Sequence, residues 1–115
     1  TNTCTTEMCT FRDQLANFED VGATVYGVSV DLPYTLNEFR RQNDLNFGLI
    51  SDERRELIET YGVAEAWEPR DIRVAKRAVF VVDSDGRITY TWIADTPKRE
   101  PDYEAVREAA AEASA

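Results

Sequence analysis

Histidine is absent from this chain of 115 residues, and lysine, cysteine and methionine are scarce. Without an imidazole, a serine–histidine–aspartate hydrolase has no general base. Two thiols and no histidine also fall short of a structural zinc set, unless another chain completes it. The two cysteines, Cys4 and Cys9, are too few for the disulfide framework of a small secreted domain, and they do not form a C-x-x-C pair. That usage points to a reducing, intracellular setting, here taken as cytoplasmic. No stretch approaches the roughly 20 apolar residues that a membrane-spanning helix needs. Positive charge is short as well: lysine occurs only at Lys76 and Lys98, and 13 basic residues face 22 acidic ones for a net charge of −9. With no basic patch to displace counterions, nucleic acid is a poor partner. An acidic surface with few lysines suits work in high salt, because at about 1 M the Debye length falls to about 3 Å and self-repulsion is screened. A halophile origin is therefore expected.

The length fits one domain, residues 1–115, and a 43% hydrophobic content is enough for a core. Met8, Phe11, Leu15 and Phe18 recur at spacings of three and four, predicting an amphipathic helix. Thr3 or Cys4 would be its N-cap, Glu7 would lie in its first turn, and Val21-Gly22 would end it. Residues 24–30 are β-branched and aromatic and predict a buried strand, which Asp31-Leu32-Pro33 breaks. Thr35-x-x-Glu38 has the pattern of a capping box, opening a helix to about Asn43 with Leu36 and Phe39 inward. Residues 47–50 predict a second strand. Ser51-Asp52 would start a helix with Leu57, Ile58 and Tyr61 inward and Gly62 as its stop.

No period is evident from Val63 to Lys76, and Glu68-Pro69-Arg70-Asp71 reads as a loop. Residues 78–82 and 88–93 flank Ser84-Asp85-Gly86 and predict a β-hairpin. Pro97 to Pro101 reads as a linker, with Pro101 in the first turn of a final helix that turns Tyr103, Val106 and Ala110 inward. Helices alternating with strands predict an α/β layer structure with helices on both sheet faces.

Within this frame Cys4 carries the strongest chemical signal. A thiol at a helix start faces unpaired N–H groups and the positive end of the helix dipole, which favour the reactive thiolate. Thr1-x-x-Cys4 matches the second half of P-x-x-x-T-x-x-C, and Arg77-Ala78-Val79-Phe80-Val81-Val82-Asp83-x-x-Gly86-x-Ile88 matches an arginine-bearing strand and turn. Phe47-x-Leu49-x-Ser51-Asp52 and Tyr61-Gly62-Val63 fall between them in order and spacing. In these motifs the chain resembles the peroxiredoxins, from Thr1 to about Ile93.

The resemblance implies a thioredoxin-like fold with a mixed sheet. In that family a strand leading into the active-site loop lies between the strands placed here at 24–30 and 78–82, so the N-terminal strands are expected to be missing. It also implies thiol-dependent reduction of hydrogen peroxide or organic hydroperoxides through a Cys4 sulfenic acid. Thr1 and Arg77 would donate to the reacting oxygens, and Glu7 would orient Arg77. The implied partners are a peroxide and a thioredoxin-like reductant, with no cofactor or metal, no membrane and no nucleic acid; monomer and homodimer both occur in the family. Trp67 and Trp92 are expected in core or interface positions rather than against substrate.

The Cys4-x-x-x-x-Cys9 pair resembles the bacterioferritin-comigratory, or PrxQ, branch, where the second cysteine resolves the first. Five residues of helix rise about 7.5 Å and turn the two thiols about 140° apart, whereas bridged cysteines need Cα atoms within roughly 7 Å. A Cys4–Cys9 disulfide therefore requires the first helical turns to unwind, and terminal turns open readily. Two alternatives stay open: a one-cysteine, AhpE-like peroxidase resolved by an external thiol, and a non-catalytic redox-sensing or interaction domain.

Overall fold

The computed structural model describes residues 2–67, 72–96 and 98–114, apart from the side chains of Asn2, Thr3 and Trp67. The loop expected at 68–71 lies outside the described residues, as does Pro97 of the expected linker. Helix α1 spans Asn2–Asp20, and its apolar stripe forms the centre of the core. Phe11 and Phe18 are buried with Leu45, Phe47, Val106 and Ala110, and Met8 and Leu15 pack against them. Because α1 already includes Asn2, Thr3 and Cys4 are inside its first turn and are not its N-cap. Glu7 falls beyond the first turn, so the helix dipole does not explain it. Gly22 ends the segment at φ 83°, as the sequence pattern requires.

Strand β1 (Tyr26–Ser29) pairs in parallel with β2 (Gly48–Ser51), in register Tyr26 to Gly48 through Ser29 to Ser51. The connecting helix α2 (Pro33–Gln42) packs on β2. Two expectations change here. The strand over 24–30 is not buried throughout: Gly27 is inside, but Tyr26 and Val28 are 62% and 48% exposed. Period-two alternation turns them to the opposite face. Helix α2 starts at Pro33 behind Leu32 with no side-chain cap, so Thr35 and Glu38 form no capping box, and Glu38 pairs with Arg41 instead. Proline at the first helical position supplies the start.

Helix α3 is short (Glu56–Thr60), and Asp52 is its distant anchor. The buried Asp52 carboxylate accepts from the Leu57 and Ile58 amides at 3.1 and 2.9 Å, while its own amide donates to the Ser29 carbonyl at 2.6 Å. It thereby ties the end of β1 to the start of α3. The region in which no period was evident contains an antiparallel pair, β3 (Ala64–Trp67) against β4 (Ile72–Ala75). Arg73 of β4 pairs with Glu59, and Arg55 donates to the Arg73 carbonyl at 2.8 Å. β4 is mostly exposed, so no buried face imposed an apolar alternation on its sequence.

The predicted hairpin forms as β5 (Ala78–Val82) and β6 (Ile88–Ile93), antiparallel, with a bulge at Val81/Val82 and Gly86 at φ 83° in the turn. Helix α4 (Tyr103–Ser114) lies on this hairpin and against α1. Pro101 stands ahead of that helix, and Asp102 caps it by accepting from the Ala105 amide at 3.1 Å. Parallel and antiparallel pairings thus coexist, in three separate two-stranded ladders among the described residues. Among those residues β1 and β5 do not pair.

Replacing Asp52 by alanine leaves two amides at the head of α3 without their acceptor. The expected loss is about 1–2 kcal/mol in urea unfolding, with α3 and the β3–β4 hairpin losing amide protection before the Phe11–Phe18 core.

Candidate active site

Three side chains from two distant segments of the chain meet near the start of α1. Cys4 and Glu7 are three residues apart on one helix and therefore share a face. Arg77 directly precedes β5. Its carbonyl accepts from the Ala94 amide at 2.9 Å, which extends the β5–β6 ladder and fixes the arginine backbone. From there the side chain turns inward, and Nη1 donates to Glu7 Oε2 at 3.0 Å. Both side chains are nearly sealed from solvent, 8% exposed for Arg77 and 4% for Glu7.

The electrostatics join Cys4 to this pair. Burial pulls the Arg77 pKa down, but hydrogen bonds to Glu7 and to Cys4, with the charges of both, carry it above its ordinary value. The guanidinium thus bridges the helix carboxylate and the helix thiol. Burial pushes the Glu7 carboxyl up, Arg77 pulls it back through its hydrogen bond and charge, and the charge of Glu100 adds to the rise. The carboxylate–guanidinium contact between Glu7 and Arg77 that the resemblance implied is present. Thr1 lies outside the described residues.

Cys9 is not part of this cluster. No disulfide joins the two thiols, both are half-buried, and α1 runs unbroken through them. The Cys9 sulfur donates to Asn43 Oδ1 at 3.8 Å, on the side of the helix that meets the end of α2. Trp92 is half-buried in β6 opposite Val79, while the side chain of Trp67 is not among those described.

One neighbour was read from sequence only as an inward-facing core residue. Tyr103 packs edge-on to Phe11 with ring centroids 5.3 Å apart, and its hydroxyl donates to Glu100 at 2.7 Å. Its pKa is raised, first by burial and then by the Glu100 hydrogen bond, with the charge of Glu7 contributing. The start of α4 thus packs on α1 at Phe11, a proximity that no local motif near residue 103 signals.

The chain matches the profile of the AhpC/TSA family over residues 1–91. It belongs to that peroxiredoxin family. A Mycobacterium tuberculosis protein carrying the peroxiredoxin name is 38% identical over 87 residues, 74% of this chain and 55% of that protein. Peroxiredoxin Bcp of Escherichia coli is 32% identical over 91 residues, 77% of this chain and 58% of that protein. The crystal structure of a Xylella fastidiosa PrxQ mutant superposes with a TM-score of 0.82 at 27% identity, covering 94% of this chain and 67% of that one. The fold is accordingly the α/β, thioredoxin-like fold of the peroxiredoxins, with likeness to the Bcp and PrxQ members. The chain spans a little over half the length of these two curated relatives, 55% and 58%.

A buried arginine stripped of its counter-charge is strongly unfavourable, so Glu7→Ala is expected to destabilise by about 3–5 kcal/mol in urea unfolding. The pH dependence has a definite sign. The folded protein holds the Glu7 proton more tightly than the unfolded chain does. The stability from that proton is fully present below the unfolded value of 4.5 and is lost as pH rises through the raised folded value. The urea midpoint of the parent is therefore expected to fall relative to that of Glu7→Gln on going from pH 4.5 to neutrality. A gap that is flat in pH would show that burial does not govern this carboxyl.

Proposed function

We propose that the chain carries the reaction centre of a thiol-dependent peroxidase in which Cys4 is the peroxidatic residue. The observation that supports this reading above all others is the convergence of the half-buried Cys4 thiol with the nearly sealed Glu7–Arg77 pair, from α1 and the lead-in to β5. The anionic form of a cysteine is the nucleophile, and a guanidinium beside the sulfur favours that form. The Cys4 thiolate attacks one oxygen of hydrogen peroxide or an organic hydroperoxide, the O–O bond breaks, and Cys4 becomes a sulfenic acid. The second oxygen departs as hydroxide or alkoxide and takes up a proton. Negative charge grows on that oxygen in the transition state, where the Arg77 guanidinium and the Thr1 hydroxyl are the donors that stabilise it. Glu7 holds Arg77 in the required orientation, since a carboxylate–guanidinium bond fixes a planar fork that an unpaired arginine lacks.

In this reading Cys9 resolves the sulfenic acid. The Cys9 sulfur attacks the Cys4 sulfur, the S–S bond forms, the S–O bond breaks, and the hydroxyl leaves as water with the Cys9 proton. A thioredoxin-like dithiol then reduces the disulfide by exchange. The one-cysteine alternative draws on a specific observation, namely that the Cys9 thiol is turned to Asn43 in the reduced protein. In that case an external thiol attacks the Cys4 sulfenic acid directly.

The two are separated by intact mass after one equivalent of peroxide. Loss of two hydrogens is expected from the parent, gain of one oxygen from Cys9→Ser, and no change from Cys4→Ser. A parent that gains one oxygen and keeps it would remove Cys9 from the reaction. Arg77→Met is expected to slow the first step by about 10²–10³-fold in single-turnover peroxide consumption; a rate within about threefold of the parent would sink the assigned role of Arg77.

A further inference from the structure

The lead-in to α4 brings a second carboxylate toward Glu7. Pro101 is buried and Asp102 caps the helix from the next position, so the backbone that carries Glu100 is held in place. Tyr103, the first residue of α4, packs edge-on to Phe11 with ring centroids 5.3 Å apart. Phe11 stands four residues after Glu7 on α1 and therefore shares its face. The Tyr103 hydroxyl has its own partners: it donates to Glu100 Oε1 at 2.7 Å, and it meets the Thr10 side chain of α1. There it lies within reach of the charges of both Glu100 and Glu7.

Glu7 thus has charged neighbours from each element packed on it. Its own burial works against ionisation, Arg77 from the lead-in to β5 works for it, and Glu100 from the lead-in to α4 works against it again. Cys4, on the same helix, reaches the same guanidinium. Arg99, the cation next in sequence to Glu100, is paired with Asp95 at 3.0 Å, whereas Glu100 takes the Tyr103 hydroxyl. Glu7 is nearly sealed and Glu100 is exposed, so the influence of Glu100 on Glu7 is open to salt.

We propose that Glu100 and Tyr103 are positioning residues of the reaction centre: the Tyr103 hydroxyl holds a second carboxylate near Glu7, and that charge sets how firmly Glu7 grips Arg77. Both act through Glu7 and not on peroxide. The two ends of Tyr103 have separate tasks, since the ring packs on Phe11 and the hydroxyl holds Glu100. A protonated Glu7 loses the charge that makes its bond to the guanidinium a strong one. Glu100 favours that protonation, so the grip on Arg77 relaxes at a higher pH than it would without Glu100. The role in catalysis rests on the peroxidase reading of Cys4.

A pH titration of the reduced protein, with the Glu7 carboxyl carbon followed by NMR, tests this. Glu100→Gln keeps an acceptor for the Tyr103 hydroxyl and removes the charge, and its Glu7 midpoint is expected at lower pH than the parent's. Tyr103→Phe keeps the ring on Phe11, and its midpoint is expected to move in the same direction and no further. The double variant is expected to match Glu100→Gln, because the hydroxyl acts through the carboxylate. At about 1 M salt, where the Debye length is about 3 Å, the difference between parent and Glu100→Gln is expected to shrink by about half or more; a repacked α4 would preserve it. Single-turnover peroxide consumption is expected to hold its rate to lower pH in Glu100→Gln than in the parent. A midpoint unchanged in either single variant would overturn the proposal, as would a difference that persists in salt. A parent that consumes no peroxide sinks the peroxidase reading, whereas a Glu7 midpoint indifferent to Glu100 sinks this proposal with peroxide consumption intact.

Discussion

One buried guanidinium organises this molecule. Arg77 lies under the first turns of α1, bonded to Glu7 and reaching Cys4, with only 8% of its side chain exposed. A cation so placed is strongly unfavourable unless a carboxylate accompanies it, and Glu7 meets that need at the expense of being buried itself. The pair is a weak source of net stability and a strong source of geometry. It holds a planar, permanently charged group beside a helix thiol. Burial works against the ionised carboxylate while Arg77 works for it, so both partners are held close to one arrangement.

The scaffold serves that pair from two directions. The β5–β6 ladder extends one residue past Ala78 through the Ala94–Arg77 bond, so the arginine leaves a rigid strand and not a loose loop. Helix α1 is fixed by Phe11 and Phe18 in the core, by Tyr103 of α4 edge-on to Phe11, and by the polar ties to Asn43 and Asn46.

Much of this was legible in the chain. The Met8–Phe11–Leu15–Phe18 stripe forecast α1 and its buried face, since a helical period is a direct print of one-sided burial. The β5–β6 hairpin followed from two β-rich runs around Ser84-Asp85-Gly86, and glycine at φ 83° is what that turn requires. The pairing of Glu7 with Arg77 came from motif resemblance, because nothing local couples residues seventy positions apart. The errors share a cause. The β3–β4 hairpin, the uncapped start of α2 and the exposure of Tyr26 and Val28 all concern surfaces or ends where burial writes no period into the sequence.

By itself the sequence determined the helix α1 with its buried stripe and the β5–β6 hairpin, and its motifs carried the family resemblance from which the class of chemistry was expected. Only the tertiary structure decided which charge stands beside which sulfur. Packing brought Arg77 to Cys4 and turned Cys9 to Asn43 instead. The reason is that reactivity here depends on desolvation and on distances of a few ångströms between groups on different elements, and these exist only once the core has closed.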